Sequence, residues 1–243
     1  MINRFKWILT CAATLAAHTE TVYRSGPTVM LRGTLQAGQE VSILGVNGDV
    51  VAEPSSSGQL EIVAVRLSEG GSHVEVRLAV EDHAGGTRVA AVESQDVNAK
   101  VSFHVRVPQG VRFRGTTRNG RILARGLAAG VEAHTINGDI DIESRDSGRA
   151  TTVNGSITAR LGKGADLESV NGSVRLAVPK TARLQLDVRT VNGAITTRVA
   201  SPITSGIPFT RFSRFKHSHL YGMSPPACAL RTVNGNITLE YSL

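Results

Sequence analysis

The sequence predicts an all-β protein, a parallel β-solenoid in which short coils, each made of two strands, stack on one another. A five-residue unit of the form apolar-Asn-Gly-small-apolar recurs along the chain, which is typical of repeat proteins. Apolar and polar residues alternate on both sides of each copy, the pattern of half-buried strands. Because the alternating apolar runs are long and heptads are absent, a disordered chain and a coiled coil are both excluded.

The repeat unit places one asparagine in every copy. In one degenerate copy, Arg118 takes the place of the apolar residue. From Asn119 onward, consecutive asparagines are 18, 17, 17, 21 and 42 residues apart, and the last gap indicates a decayed copy or an insertion. The repeated asparagines are Asn47, Asn119, Asn137, Asn154, Asn171, Asn192 and Asn234.

Each Asn-Gly step joins two short strands at a bend, since both residue types tolerate the positive φ that a bend often requires. A hairpin is the ordinary interpretation of one such step, and seven hairpins would form a meander. We favour a solenoid because every copy repeats the same inward and outward positions in the same order. Stacked coils would bring equivalent side chains about 4.8 Å apart. The asparagines would then form a ladder of amide hydrogen bonds with a structural role.

Residues 58–108 contain no copy of the unit and read as four strands with glycine-bearing turns. The expected strands are Leu60–Leu67, His73–Val80, Thr87–Glu93 and Val101–Val107. We expect antiparallel hairpins near the N-terminal end, laid against the first solenoid coil or inserted into it.

Residues 201–229 also depart from the repeat and interleave aromatic residues with cations. The segment holds Phe209, Phe212 and Phe215 among arginine, lysine and histidine residues. A solenoid needs its end covered, so the segment is expected to be a cap or an insertion over the last coil. Alternatively, the aromatic rings stack on the sugar rings of an anionic glycan.

Charge is distributed unevenly between the N-terminal and C-terminal parts of the chain. Residues 18–96 carry 5 basic and 11 acidic groups, whereas residues 97–243 carry 20 basic and 9 acidic groups. A basic run without acids in residues 97–131 predicts either a solvated face or a surface for an anionic glycan, lipid or other envelope component. Nucleic acid is not an expected partner of an exported chain. The sequence does not indicate an oligomeric state. The arginines of the expected surface are Arg112, Arg114, Arg118, Arg121 and Arg125.

Residues 1–17 have the outline of a secretory signal peptide. Arg4 and Lys6 precede an apolar run of about 11 residues, shorter than the roughly 20 that cross a bilayer. Export to the periplasm or cell surface follows, with lipoprotein anchoring through Cys11 as an alternative. Residues 18–243 would form a single domain, with a hairpin-rich part at 58–108 and the Asn-Gly solenoid at 109–243. Its one remaining cysteine, Cys228, is expected to be a small buried residue.

No motif of a hydrolase nucleophile or a phosphate-binding loop is present in the sequence. β-Helices can host polysaccharide-active enzymes, and Asp139 and Asp141 project from the same side of one strand, with Asp49 equivalent to Asp139. Ser156 and Ser173 replace Asp139 in the next coils, so no row of carboxylates persists. We therefore expect no catalytic residue, no metal and no cofactor. A polysaccharide-active enzyme and an inert spacer remain the alternatives.

The VNG copies, the VRVPQGVRF segment at residues 105–113 and the closing LRTVNGNITLEY at residues 230–241 resemble a bacterial β-strand-repeat family. This family of unknown function is known as putative adhesins and is similar to the head GIN domain of suggested autotransporter adhesins. The resemblance extends from about Leu35 to the C-terminus. It implies a right-handed β-solenoid exported to the cell envelope, with no established catalytic residues. The expected function is therefore that of a non-enzymatic binding or scaffold module.

Overall fold

The computed structural model describes residues 18–24, 28–67, 76–92, 100–179, 185–199 and 227–242. All regular elements within these ranges are β-strands, so the described part of the chain is all-β as predicted. Among the described residues, no helix is long and apolar enough to cross a membrane. The expected signal peptide at 1–17 and the aromatic residues Phe209, Phe212 and Phe215 lie outside the described residues.

Twenty strands follow one another along the described ranges. They are β1 (His18–Arg24), β2 (Thr28–Gly33), β3 (Glu40–Leu44), β4 (Val50–Pro54), β5 (Leu60–Leu67), β6 (Val76–His83), β7 (Gly86–Val92), β8 (Lys100–Val107), β9 (Arg112–Thr116), β10 (Ile122–Leu127), β11 (Val131–Asn137), β12 (Ile140–Ser144), β13 (Gly148–Asn154), β14 (Ile157–Leu161), β15 (Ala165–Asn171), β16 (Val174–Pro179), β17 (Gln185–Asn192), β18 (Ile195–Val199), β19 (Ala227–Asn234) and β20 (Ile237–Ser242). Three residues of the segment expected to form a cap, 227–229, belong to β19.

The strands form two sheets of ten strands each, and most neighbours within a sheet are parallel. Sheet I has the order β1-β6-β7-β3-β9-β11-β13-β15-β19-β17. Sheet II has the order β18-β20-β16-β14-β12-β10-β4-β8-β5-β2. Since the chain passes from one sheet to the other within each repeat, a pair such as β11 and β12 forms one coil of a solenoid-like stack.

The coils stack with equivalent residues directly opposite one another. Asn137 of β11 stands opposite Asn154 of β13, which in turn stands opposite Asn171 of β15. The inward positions carry aliphatic side chains such as Ile140 and Ile157, which are 1% exposed or less. Full burial of such a side chain contributes about 1.5–3 kcal/mol, so the aliphatic rows between the sheets supply most of the stabilisation.

The order of coils in the stack departs from chain order at both ends. The β3–β4 coil lies between β7–β8 and β9–β10. The β19–β20 coil, last in the sequence, lies between β15–β16 and β17–β18. The repeat does not indicate either exchange, because every coil offers its neighbours the same pattern of backbone and side-chain partners.

Antiparallel strands extend the stack at the N-terminal end. β6 and β7 form a hairpin, and β5 pairs antiparallel with both β2 and β8. β7 and β8 also pair in parallel with β3 and β4. The hairpins therefore join the sheets edge to edge, at the end where the sequence placed them, and do not pack on a sheet face.

Candidate functional site

The seven repeated asparagines lie in one row at the corner where sheet I passes into sheet II. Six hydrogen bonds connect the row, each donated by one asparagine Nδ2 to the Oδ1 of the asparagine on an adjacent coil over 2.7–3.0 Å. In stack order, the row is Asn47, Asn119, Asn137, Asn154, Asn171, Asn234 and Asn192. Because each inner amide both donates and accepts within the row, these groups are largely used by the fold itself.

The glycine after each asparagine is required by the close approach of neighbouring coils. A Cβ at Gly155 would lie 2.0 Å from the carbonyl oxygen of Gly138, and one at Gly172 would lie 1.9 Å from that of Gly155. Positive φ explains the first copy, where Gly48 has a φ of 130°. In most other copies the glycine has no left-handed φ, so the positive φ that such a bend often requires does not explain the glycine there.

A row of hydroxyl side chains, five of the six buried, lies two residues before the asparagines and was not anticipated from the sequence. Thr152 Oγ1 donates to the carbonyl of Gly138 over 3.0 Å, and Ser169 Oγ donates to that of Gly155 over 2.8 Å. The other members are Thr117, Thr135, Thr190 and Thr232, each bonded to the corresponding glycine of an adjacent coil. The signal was present, since serine or threonine occupies this position in six of the seven copies.

The residue after each glycine provides an acceptor for the next coil. Asp139 Oδ1 accepts the backbone N–H of Ser156 over 2.8 Å. Asp49 Oδ1 accepts the N–H of Arg121 over the same distance. Asp141, one position further into the strand face, is bonded to the guanidinium of Arg125. The carboxylates that a polysaccharide-active enzyme would need therefore already have partners within the fold.

The five arginines of the expected basic surface are not brought together on one face. They all belong to the β9–β10 coil, which carries Arg112 and Arg114 on sheet I and Arg125 on sheet II. Arg118 and Arg121 flank the corner between the two sheets. A run of 14 residues passes around a whole coil, so closeness in the sequence does not produce a single patch.

Three of these arginines have acidic partners on adjacent coils. Arg114 Nη2 lies 2.6 Å from Glu132 Oε2, Arg121 lies 3.7 Å from Asp49, and Arg125 is bonded to Asp141. The remaining two, Arg112 and Arg118, form no ion pair with any residue that the structure describes. The described part of the chain therefore offers two unpaired guanidinium groups on this coil.

Hydrogen bonding perturbs the titration of this network. The side-chain hydrogen bond from Arg114 to Glu132 raises the pKa of Arg114. Burial raises the pKa of Glu132, but hydrogen bonds from His134 and Arg114 outweigh it, so the pKa lies below its usual value. The pair is thus held in its charged form.

The outer face of sheet I also carries a row of exposed aliphatic side chains next to the asparagines. Val191 is 73% exposed and Ile136 is 45% exposed. The other members are Val153, Val170 and Val233. The sequence did not predict that this row lies on the surface, because an apolar side chain in a strand is usually expected to point into the core. Alternation from the buried hydroxyl row was the available signal.

Other reactive groups contribute little to the site. Cys228 is 1% exposed, and burial raises the pKa of its thiol, so the expectation of a small buried cysteine is confirmed. Within the described ranges, no three His, Cys, Asp or Glu side chains are grouped closely enough to hold a metal ion.

Known proteins offer a limited comparison for this geometry. No family model and no curated protein matches the chain. Among solved structures, the chain is similar to a putative cell adhesion protein from Clostridium sporogenes, with 9% identity, coverage of 93% of this chain and 100% of that chain, and a TM-score of 0.47. It is also similar to putative adhesins from Bacteroides fragilis, with 10% identity, 88% and 97% coverage and a TM-score of 0.32, and from Parabacteroides distasonis, with 12% identity, 89% and 98% coverage and a TM-score of 0.36.

The three names agree with the family that the sequence resembles. At TM-scores below 0.5, the likeness carries no argument about binding or activity.

Proposed function

We propose that the chain is a non-enzymatic, exported binding or scaffold module of the bacterial cell envelope, built as a right-handed β-solenoid. One observation carries the proposal: the polar groups repeated at the Asn-Gly corner are bonded from coil to coil. These groups include Asp49 and Asp139, whose carboxylates accept backbone N–H groups. A catalytic carboxylate must be free to exchange protons with a substrate, whereas these stabilise the stack.

Export rests on the N-terminal pattern of residues 1–17, with its basic start and short apolar run. N-terminal sequencing of the protein recovered from the periplasm or cell surface tests this part. Cleavage within a few residues of Ala17 is the expected result, and an intact Met1 on the recovered chain would contradict it.

The β9–β10 coil is the described surface on which we expect an anionic envelope component to bind. Arg112 and Arg118 bind an anion without giving up an existing partner. Arg149, by contrast, would have to leave Asp166, 2.8 Å away. Phe209, Phe212 and Phe215 remain candidates for a second contact on the same ligand. A glycan phosphate or carboxylate and an acidic lipid headgroup share the required charge.

Co-sedimentation of purified residues 18–243 with isolated envelopes, at low and high salt, tests the surface. Exposed charges are screened beyond about 10 Å at 0.1 M salt, so retention should fall as salt rises. An R112Q/R118Q variant should be retained about tenfold less at low salt. An R149Q/R175Q variant is the matched control, since it loses the same charge at two ion-paired arginines.

The outcomes separate three possibilities. Loss confined to R112Q/R118Q supports a local anion-binding surface. Equal losses in both variants would show that only net charge matters and would contradict the assignment to this coil. Absence of wild-type retention at low salt would overturn envelope binding and favour an inert spacer.

A further inference from the structure

A cavity of about 490 Å³ lies between the two sheets at the N-terminal end of the stack. Its floor contains Ile62 from sheet II and Val80 and Val89 from sheet I, all at least nine-tenths buried. Its volume falls within the range of about 300–1,000 Å³ that is usual for small-molecule sites. The cavity lies apart from the Asn-Gly corner and plays no part in the proposed envelope surface.

One wall of the cavity is open because a glycine replaces an inward side chain. On β2, Val29, Leu31 and Gly33 share a face, opposite the buried residues of β5. Gly33 is the third of these positions, and a Cβ placed there would meet no atom within 4 Å. Its φ is not in the left-handed region, so the backbone does not require glycine. The missing side chain leaves room for a ligand.

The opposite wall places a carboxylate where the core pattern calls for an apolar residue. On β6, Leu78 and Val80 face inward, and Asp82 is the next residue on that face. Asp82 stands opposite Thr87 of β7. Thr87 Oγ1 donates to Asp82 Oδ1 over 2.6 Å, which fixes the carboxylate and leaves its second oxygen for a ligand.

Other charged groups near the cavity do not neutralise this carboxylate. Arg32 lines the cavity, but its Nε lies 3.1 Å from Glu61 on the outer face of sheet II. His83 Nδ1 accepts the N–H of Gly85 over 3.1 Å, so a neutral His83 ring keeps only its Nε2–H as a donor. The surrounding part of the chain, residues 18–96, has 11 acidic and 5 basic groups. The local field therefore favours a cation.

The rim of the cavity is held by hydrogen bonds before any ligand arrives. Gln39 Nε2 donates to the carbonyl of Ala84 over 3.2 Å, and Gln39 Oε1 accepts the N–H of Gln36 over 2.7 Å. The first bond connects the β2–β3 loop to the β6–β7 turn, and the second fixes the Gln39 side chain within its own loop. A preorganised rim lowers the entropy lost on binding.

We propose that this cavity binds a small organic amine. The protonated amino group pairs with the Asp82 carboxylate, and the apolar body packs against Ile62, Val80 and Val89 in the space that Gly33 leaves. A charge-assisted hydrogen bond selects the amine over uncharged molecules of the same shape, since such bonds are about twice as strong as neutral ones. The proposal is independent of envelope binding.

Isothermal titration calorimetry of the purified protein with hexylamine, hexanol and hexanoate tests the proposal. These probes share one chain and differ in the charge of the head group. Hexylamine should bind about tenfold or more tightly than hexanol, and hexanoate should bind most weakly. Equal affinities for hexylamine and hexanol, or no binding of hexylamine, would overturn the proposal.

Two variants and a control assign the contacts. D82N keeps an acceptor for the Thr87 hydroxyl but removes the charge, so it should lose the preference for the amine and retain hexanol. G33F fills the cavity and should abolish binding of both probes, and G33L provides a smaller filler if thermal melting shows that G33F is unfolded. E53Q, a change at an exposed acid on sheet II, is the matched control and should bind as the wild type does. An amine preference that survives in D82N would refute the role of the carboxylate, whatever the result of the envelope experiment.

Discussion

The two ends of the stack are built by the same exchange of coil order but finish differently. At the N-terminal end, β3 lies between β7 and β9, and at the C-terminal end, β19 lies between β15 and β17. In each case, a coil from near one end of the described chain forms backbone hydrogen bonds on both sides. The coil beyond it in the stack comes from a more central part of the sequence.

The difference lies beyond the inserted coils. The C-terminal end keeps the repeat, and Asn192 on the outermost described coil extends the asparagine row. At the N-terminal end, the sheets continue as antiparallel strands, and Gly48 faces the carbonyl of Val101 instead of another Asn-Gly copy. The repeat thus produces a uniform stack with its polar groups paired, whereas its interruption leaves an internal cavity with an inward carboxylate.

Removing the inserted coil at the C-terminal end should have the largest effect. Deletion of residues 227–243 removes β19 and β20, the strands to which β17 and β18 are paired. It also removes Leu230, Ile237 and Leu239, which are 4% exposed or less. At about 1.5–3 kcal/mol for each side chain, the loss exceeds roughly 5 kcal/mol, comparable with the total stability of many domains. Thermal unfolding measures this loss.

Hydrogen exchange in the truncated chain distinguishes insertion from simple addition at the end. If the final coil holds the β17–β18 coil in place, amides in residues 185–199 should lose protection along with the deleted segment. Protection that persists there would contradict the dependence of the β17–β18 coil on its pairing with β19–β20.

Alanine at the glycines of the two inserted coils should have the next largest effect. A Cβ at Gly235 would lie 2.2 Å from the carbonyl oxygen of Gly172, and one at Gly48 would lie 2.4 Å from that of Val101. Each substitution should cost about 3 kcal/mol or more. Gly48→Ala should cost about 1–2 kcal/mol beyond Gly235→Ala, because Gly48 also has a φ of 130°.

Gly130→Ala is the control for this comparison, since the nearest atom to an added Cβ there is 3.7 Å away. Denaturant unfolding should place the control within about 0.5 kcal/mol of wild type. Equal costs for Gly48→Ala and Gly235→Ala would show that space alone, and not backbone conformation, distinguishes the inserted coils.

The repeat explains how much could be predicted from the sequence. Because the same unit recurs around each asparagine, equivalent positions are predicted to stack, and the structure places all seven asparagines in one row. The hydroxyl row was equally regular in the sequence. A threonine near a strand end does not by itself predict that its Oγ1 is buried, so the regular spacing was the only available signal. The exchanged order of coils could not be predicted from the sequence. Similar coils can pair with the same neighbours, and the connecting segments determine which of these pairings forms.

The predicted arginine surface shows a further limit. Arg114 finds Glu132 one coil away, 18 residues along the chain, whereas Arg121 finds Asp49, 72 residues away, because of the exchange. A local stretch of sequence shows how many cations it contains. It does not show which acidic residues the stacking of coils places beside them. The cavity was missed for a related reason: Gly33 and Asp82 each interrupt the inward apolar pattern of their own strand, but only the packing of the two sheets places both at one cavity.

The smallest predicted change in stability concerns Glu132, in the middle of the stack, and serves as a reference for the substitutions at the two ends. Glu132 is held by Arg114 and His134, and its pKa is lowered despite the opposing effect of burial. A lowered folded-state pKa stabilises the fold above the pKa of the unfolded chain, and this stabilisation is lost as pH falls through the folded-state pKa. Glu132→Gln should therefore cost about 1 kcal/mol or less near neutral pH, and the cost should shrink in acid. Denaturant unfolding of both proteins across an acid-to-neutral series measures it.

Glu168→Gln is the matched control, because Glu168 lies on the same face two coils away and forms no ion pair with the residues that the structure describes. Its stability difference from wild type should be small and should not follow the acid profile of Glu132→Gln. A cost at Glu132 that stays constant down to strongly acidic pH would mean that packing of the side chain, and not its charge, stabilises the middle of the stack. The middle of the stack would then resemble the inserted coils, where steric fit limits substitution.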